Sequence, residues 1–389
     1  MRAPQARSCS DCGRVADRAA MARASKDIEA DDDAVLAPRE NPELVGQGAA
    51  ERVLLEAWNG GRLAHAWLIA GRAGIGKATL AYRFARFALR EGSAPPAAGL
   101  FGVTVPDQLH VGADDPVFRR VAAGGHADLL TIERAVNDKT GRMRTEISVD
   151  QIREIGAFLH LTAAEGGWRV VIIDALDELN PNAANALLKV LEEPPANALL
   201  LLVAHAPGAA LATIRSRCRL LRLAPLDDGV LDQLLARLRP TLDPAERASL
   251  VRLADGSAGR ALDLIARGGL EVYRDMLGLF RRPDPDALHR LGDKLARAGA
   301  QDAYDGFTDL YGWWLARLIR AGARGEALVE AVPGEGAAGA ALLERAGLDR
   351  LVEVWENSTH LFARADSLNL DRKQVVLNAF FALDRDARR

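Results

Sequence analysis

The residues best equipped for chemistry sit in the stretch GRAGIGKATL, Gly71 to Leu80. Phosphate-binding loops read G-x-x-x-x-G-K followed by Ser or Thr. Gly71, Gly76 and Lys77 are in register, and Gly74 lies between them. Such glycines let backbone N–H groups turn inward around phosphate oxygens. The lysine supplies charge for the β- and γ-phosphates, and the following helix adds its N-terminal dipole. The next residue, however, is Ala78, which lacks the hydroxyl that normally holds Mg²⁺. Thr79 comes one position late, about 100° round a helix. The candidate nucleotide-binding set from this stretch is Gly71, Gly74, Gly76, Lys77 and Thr79.

A second acidic position belongs with it. Asp174 ends the apolar run RVVIID, the place of a Walker B aspartate that holds Mg²⁺ directly or through water. Hydrolytic nucleotide sites follow that aspartate with Glu, which orients the attacking water; here Ala175 follows. Asp177 and Glu178 stand past the strand end and read as solvated loop carboxylates. Ala78 weakens the metal site and Ala175 removes the water-orienting group. Binding survives such losses better than turnover does, because turnover needs metal and in-line water placed accurately. ATP is therefore expected to bind weakly or not at all, with Mg²⁺ only in its company.

These residues need elements to position them. HAWLIAG reads as a buried strand running into the loop. KATLAYRFARFALR follows as a helix with Leu80, Phe84 and Phe87 on one face. Strand, Gly-rich loop and helix together make the motif's required context. A helix precedes them in ERVLLEAWNGGRL. Further strands are ADLLTIER, WRVVIIDAL and ALLLLVAH. Further helices are SVDQIREIGAFL, with Ser148 as cap, and NPNAANALLKVLEEPP, closed by Pro194 and Pro195. A short helix and a last short strand share ATIRSRCRLLRLAPL. This alternation predicts an α/β fold: a parallel sheet covered on both faces. After Pro225 the strands stop. Residues 226–270 predict two or three short helices. Tyr304, Phe307, Tyr311, Trp314 and Leu318 recur at helical spacing, as do Val376, Phe380 and Leu383; these stripes are read as helix-bundle core.

Composition sets bounds. The net charge is −3, so any contact with nucleic acid must come from local patches. Aromatic residues make up only 5%, which favours helices with aliphatic cores. There are three cysteines. Cys9 and Cys12 form half of a zinc motif with no second half nearby, and an odd count suits a reducing compartment. The longest apolar run, ALLLLVA from Ala198 to Ala204, is far short of the roughly 20 residues that span a membrane. No apolar leader opens the chain, so a cytoplasmic location is expected, without a membrane partner. Residues 1–40 are Ala-, Arg- and Asp-rich and read as a disordered tail; Met21 is an alternative start.

Asn185 to Pro195 (NALLKVLEEPP), with Ser216, Arg217 and Cys218, strongly resembles the bacterial clamp-loader subunits of DNA polymerase III. The altered loop and Ala175 resemble the delta-prime type rather than the motor type. The resemblance implies an AAA+ protein: a RecA-like α/β module over 41–224, a helical lid over 225–272, and a helical collar over 273–389 through which five subunits form a ring. It implies that Arg217 is a catalytic arginine presented in trans to a neighbour's ATP. GSAGRAL, Gly256 to Leu262, resembles the lid's sensor segment, making Arg260 a nucleotide-binding candidate. VGQ, Val45 to Gln47, resembles the adenine-side segment. The family often carries a four-cysteine zinc module between its loop and Walker B strand; no cysteine lies between Leu80 and Asp174, so no zinc is expected there. His205 stands near the family's sensor threonine and is read as a strand-end surface residue. The implied partners are other clamp-loader subunits and, through them, the sliding clamp and primed DNA within a DNA polymerase holoenzyme. The chain alone is expected not to be catalytic. Two alternatives stay open: a gamma/tau-type motor ATPase, which Glu at 175 would have marked, and a nucleotide-dependent switch unrelated to replication.

Overall fold

The computed structural model describes residues 36–93, 98–99, 102–103, 105–136, 143–165, 167–206, 208 and 211–384. Cys9, Cys12, Met21 and most of the expected tail lie outside them. The strands are β1 (Ala66–Ala70), β2 (Ala98–Gly99), β3 (Gly102–Val103), β4 (Leu129–Glu133), β5 (Arg169–Asp174), β6 (Ala198–Ala204) and β7 (Arg219–Arg222). β2 and β3 make a separate two-stranded pair. The other five form one sheet in the order β4-β5-β6-β1-β7. All its pairings are parallel: Ala66 to Ala70 run beside Leu200 to Ala204, and Ile173 lies beside Leu202. Parallel strands demand crossovers. α1 (Gly48–Asn59) precedes the sheet, and the connections between strands carry α2 (Lys77–Ser93), α3 (Pro116–Ala122), α4 (Val149–His160), α5 (Pro181–Glu192) and α6 (Ala212–Arg215). The α/β fold class read from the sequence is the fold observed.

Two apolar layers sandwich the sheet. Phe84, Phe87 and Leu80 of α2 pack with Trp67 and Ile69 on one face. Ile152 and Ile155 of α4 and Leu187 and Leu191 of α5 pack with Leu68, Ile173 and Leu202 on the other. β1 and β6 are buried throughout, as central parallel strands must be.

The remainder is helical: α7 (Asp228–Leu238), α8 (Pro244–Ala254), α9 (Ala258–Ala266), α10 (Gly269–Arg281), α11 (Pro285–Ala296), α12 (Gln301–Arg324), α13 (Glu335–Ala346), α14 (Leu348–Leu368) and α15 (Arg372–Asp384). Leu231, Leu235, Val251 and Ala261 knit α7 to α9. A larger core holds Phe280, Phe307, Tyr311, Trp314 and Phe380, and Phe280 stacks on Trp314 at 4.4 Å between ring centroids. Asp or Asn followed by Pro opens α3, α5, α8 and α11, the acidic or amide side chain accepting a backbone N–H of the first turn. Proline at the first helical position lacks only an N–H that would go unpaired.

Two boundaries differ from the sequence reading. The expected tail ran to residue 40, yet Ala37–Glu40 form a turn held by a buried guanidinium: Arg86 Nη1 donates to the Arg39 carbonyl at 3.0 Å and Nη2 to that of Asn41 at 2.9 Å. Composition could not show this anchor. The expected boundary between lid and collar, at residue 272, falls inside α10, whose Leu270, Val272 and Tyr273 belong to the collar core. α3 and the β2–β3 pair had no sequence expectation.

Candidate functional site: a phosphate loop clamped by the lid

β1 delivers the chain to Gly71, and α2 begins at Lys77. Between them the loop carbonyls are fully engaged. Lys77 Nζ donates to Arg72 O. Ser257 Oγ donates to Ala73 O at 2.8 Å. Gly259 N donates to Gly74 O at 2.9 Å. Gln47 Nε2 donates to Ile75 O at 3.1 Å and to Ala224 O at 2.9 Å. Four successive carbonyls thus accept from the loop's own lysine, the lid and the VGQ segment. With its carbonyls so engaged, the loop keeps its N–H groups for an anion.

Gly74 shows how close the lid comes. Its φ is +75°, a conformation glycine adopts without penalty. A Cβ there would lie 2.5 Å from Ser257 Oγ and 2.9 Å from Gly259 Cα. Arg72 adds an ion pair to Asp255. Ser257 is only 3% exposed and also caps α9, accepting from Arg260 N at 3.1 Å. Sequence reasoning passed over Ser257, although a serine just before a helix is a standard cap signal.

Charges at the site shift one another. Burial pushes the Lys77 ammonium down to about 8, against the pull of Asp174 and Asp177. Burial and the Glu178 carboxylate raise Asp174, against Lys77. Burial lowers His205, and Lys77 lowers it further. Asp177 is no loose loop carboxylate: one oxygen accepts the backbone N–H groups of His205 and Ala206, the second at 3.2 Å. It staples the loop after β5 to the end of β6. Glu178 pairs with Arg134 at 3.0 Å. His205 is exposed at the strand end.

Lys77 carries a stability prediction. In an unfolded chain a lysine titrates near 10.4. Between about 8 and that value the folded chain holds fewer protons than the unfolded one, so stability rises with pH there. Below about 8 the cost of the buried charge is fully felt. Lys77→Met is therefore expected to stabilise the chain at pH 7, by about 1–2 kcal/mol. The gain should shrink between pH 8 and 10.5. Urea midpoints at pH 7 and 10 check this; equal gains at both would remove the buried charge as the cause.

The structure gathers Gly71, Gly74, Gly76, Lys77 and Asp174 at one end of the sheet. Thr79 is half-buried on the first turn of α2. Arg260 goes elsewhere: its guanidinium lies over the Trp313 ring, 5.0 Å from the centroid. Arg217 lies past α6. Its Nη1 donates to Thr213 O at 3.0 Å and its Nη2 pairs with Glu192 at 2.7 Å. Among the described residues no group of His, Cys, Asp and Glu is arranged to hold a metal ion. No described helix is long and apolar enough to cross a membrane.

The glycine loop, the lysine and the acid ending β5 define the class: a P-loop α/β module joined to a helical lid. Residues 46–227 match the model of the family described as DNA polymerase III, delta subunit. The chain is 39% identical over 213 residues to DNA polymerase III subunit delta' of Pseudomonas aeruginosa, covering 54% of this chain and 58% of that one. It is 34% identical over 211 residues to subunit delta' of Escherichia coli, covering 54% and 57%. Subunit tau of Salmonella typhimurium matches at 32% over 234 residues, 58% of this chain and 33% of that one. These matches make residues 46–227 similar to the DNA polymerase III delta-subunit family and to its delta' subunits. The matches span less than three-fifths of the length of the delta-prime relatives.

Proposed function

We propose that the chain acts as a cytoplasmic stator in a DNA polymerase III clamp loader. It assembles with other loader subunits in a hetero-pentameric ring that places the sliding clamp on primed DNA. Its own contribution to chemistry is Arg217, offered to ATP on the neighbouring subunit. The observation that carries this reading is the contrast between two sites. The phosphate site has Ala78 after the loop lysine and Ala175 after β5 where turnover needs a metal ligand and a water-orienting acid. Arg217 is 35% exposed and already oriented by Thr213 and Glu192. A guanidinium presents a rigid fork of donors, which suits a γ-phosphate whose charge spreads in the transition state.

The loop residues fit a phosphate better than they fit Mg²⁺–ATP. Gly71, Gly74 and Gly76 hold positive φ, and Lys77 needs only to leave Arg72 O to meet an anion. Arg260, seated on Trp313, adds nothing to that site in this conformation. A bound nucleotide would supply a ligand that strengthens the joint between loop and lid. Lys77 would hold its phosphate, Asp174 would set the local charge, and Ser257 with Gly259 would keep the lid against the loop.

The motor reading is weaker. Ala175 opposes it, and the tau relative matches with lower identity over a third of its length. The purified chain is expected to give no ATP turnover; a rate near 1 s⁻¹, inside the ordinary enzyme range of roughly 1–10³ s⁻¹, would restore the motor reading. Affinity purification of the full chain tests the assembly. Recovery of clamp-loader subunits is the expected result, and partners unrelated to replication would reject the stator.

A further inference from the structure

We propose that Arg260, Trp313 and Arg317 form a strut that joins the lid to the collar, so that the phosphate loop, lid and collar move as one body. Arg260 sits one position after Gly259, whose N–H holds Gly74 O. It leaves the loop and lays its guanidinium on the Trp313 ring, 5.0 Å from the centroid. Arg317, one helical turn further along α12, lays its own guanidinium on the same ring at 4.5 Å. Two cations on one indole would repel without counter-charge, and each has one. Asp309 of α12 faces Arg260. Glu335 of α13 pairs with Arg317 at 2.6 Å and also accepts from the Tyr273 hydroxyl at 2.8 Å. Tyr273 in turn meets Trp313 edge-on at 6.3 Å between centroids.

A path of direct contacts therefore runs from Gly74 through Gly259, Arg260 and Trp313 to Arg317, Glu335 and Tyr273. It links α9, α10, α12 and α13. Arg260 Nε and Nη2 are buried and hold no hydrogen bond among the described residues. The ring face and the Asp309 charge are what keep this guanidinium in place. An arginine held that way is a poor free sensor and a good brace. The inference rests on this chain's own contacts and is independent of any role in clamp loading.

Hydrogen exchange on the full-length chain tests it. Trp313→Leu removes the ring face from the collar side. Loss of a desolvated cation–π contact corresponds to roughly five- to thirtyfold in an opening equilibrium, so exchange across residues 255–262 of the lid is expected to rise by that factor. Trp313→Phe, which keeps a ring, should restore most of the protection. Arg260→Met reads the strut from the other end and leaves the collar core intact; coupling is reciprocal, so exchange around residues 309–317 should rise. Collar-only loosening in Trp313→Leu, with the lid unchanged, would overturn the strut. So would equal effects of Leu and Phe, or an Arg260→Met variant whose collar exchange matches the wild type.

Discussion

Arg217→Ala is expected to leave the fold and its assembly with partners intact while slowing clamp-dependent ATP hydrolysis and clamp loading in a reconstituted complex. The fold should survive because Arg217 contributes only an exposed hydrogen bond to Thr213 O and a surface pair with Glu192, whose side chain is 49% exposed; such surface pairs are worth about 0–1 kcal/mol. The rate should not survive. An arginine supplied to a neighbour's phosphate is worth about 10³–10⁵ in turnover. The one site that Arg217 serves should fall by a factor of that order, and the whole complex by less, since other sites keep firing. Arg217→Lys should fail almost as badly, because a point charge cannot replace a planar fork. Glu192→Gln separates orientation from chemistry: it keeps an acceptor for the guanidinium and should lower the rate only mildly. If the Ala variant assembles and loads clamps at the wild-type rate, Arg217 is a surface residue paired with Glu192 and nothing more.

What was legible in the sequence was local. Gly71 to Lys77 announce a phosphate loop because the spacing itself creates the geometry. The strand before and the helix after follow from apolar runs of the right length. Asp174 was readable because a buried strand ends on it. Asp177 was not, since its partners, the N–H groups of His205 and Ala206, lie 28 and 29 residues away. Arg260 shows the limit most clearly. The segment GSAGRAL resembles the lid's sensor segment, and the structure sets it against the loop. It does not fix where the arginine points, because that depends on Trp313 and Asp309, carried by a helix of the collar. Trp313 itself gave no signal: the aromatic stripe in α12 marked Tyr304, Phe307, Tyr311 and Trp314 as core. Trp313 sits one position off that stripe, half-buried, where a ring can take a cation.

Glu335→Ala should strongly destabilise the collar. Glu335 is 0% exposed and Arg317 only 20%. The carboxylate accepts from Arg317 Nη1 at 2.6 Å, from Tyr273 Oη at 2.8 Å and from Ala331 N. Removing it leaves a largely buried guanidinium, a buried hydroxyl and a backbone N–H without their acceptor. Breaking a buried pair from one side typically costs about 3–5 kcal/mol. The urea midpoint of the full chain, followed by near-ultraviolet circular dichroism, should fall accordingly. The three collar donors then tell charge from shape. Glu335→Gln keeps an oxygen for one or two of them and should cost less than Ala. Glu335→Met combined with Arg317→Met and Tyr273→Phe removes the acceptor together with two of its three donors, leaving only the Ala331 N–H, and should recover part of the loss, because apolar replacement of a buried polar network is often close to neutral. If the triple variant is as unstable as Glu335→Ala, packing volume and not unpaired polarity sets the cost. If Glu335→Ala itself loses less than about 1 kcal/mol, the figure for an ordinary surface ion pair, the carboxylate is not holding the collar.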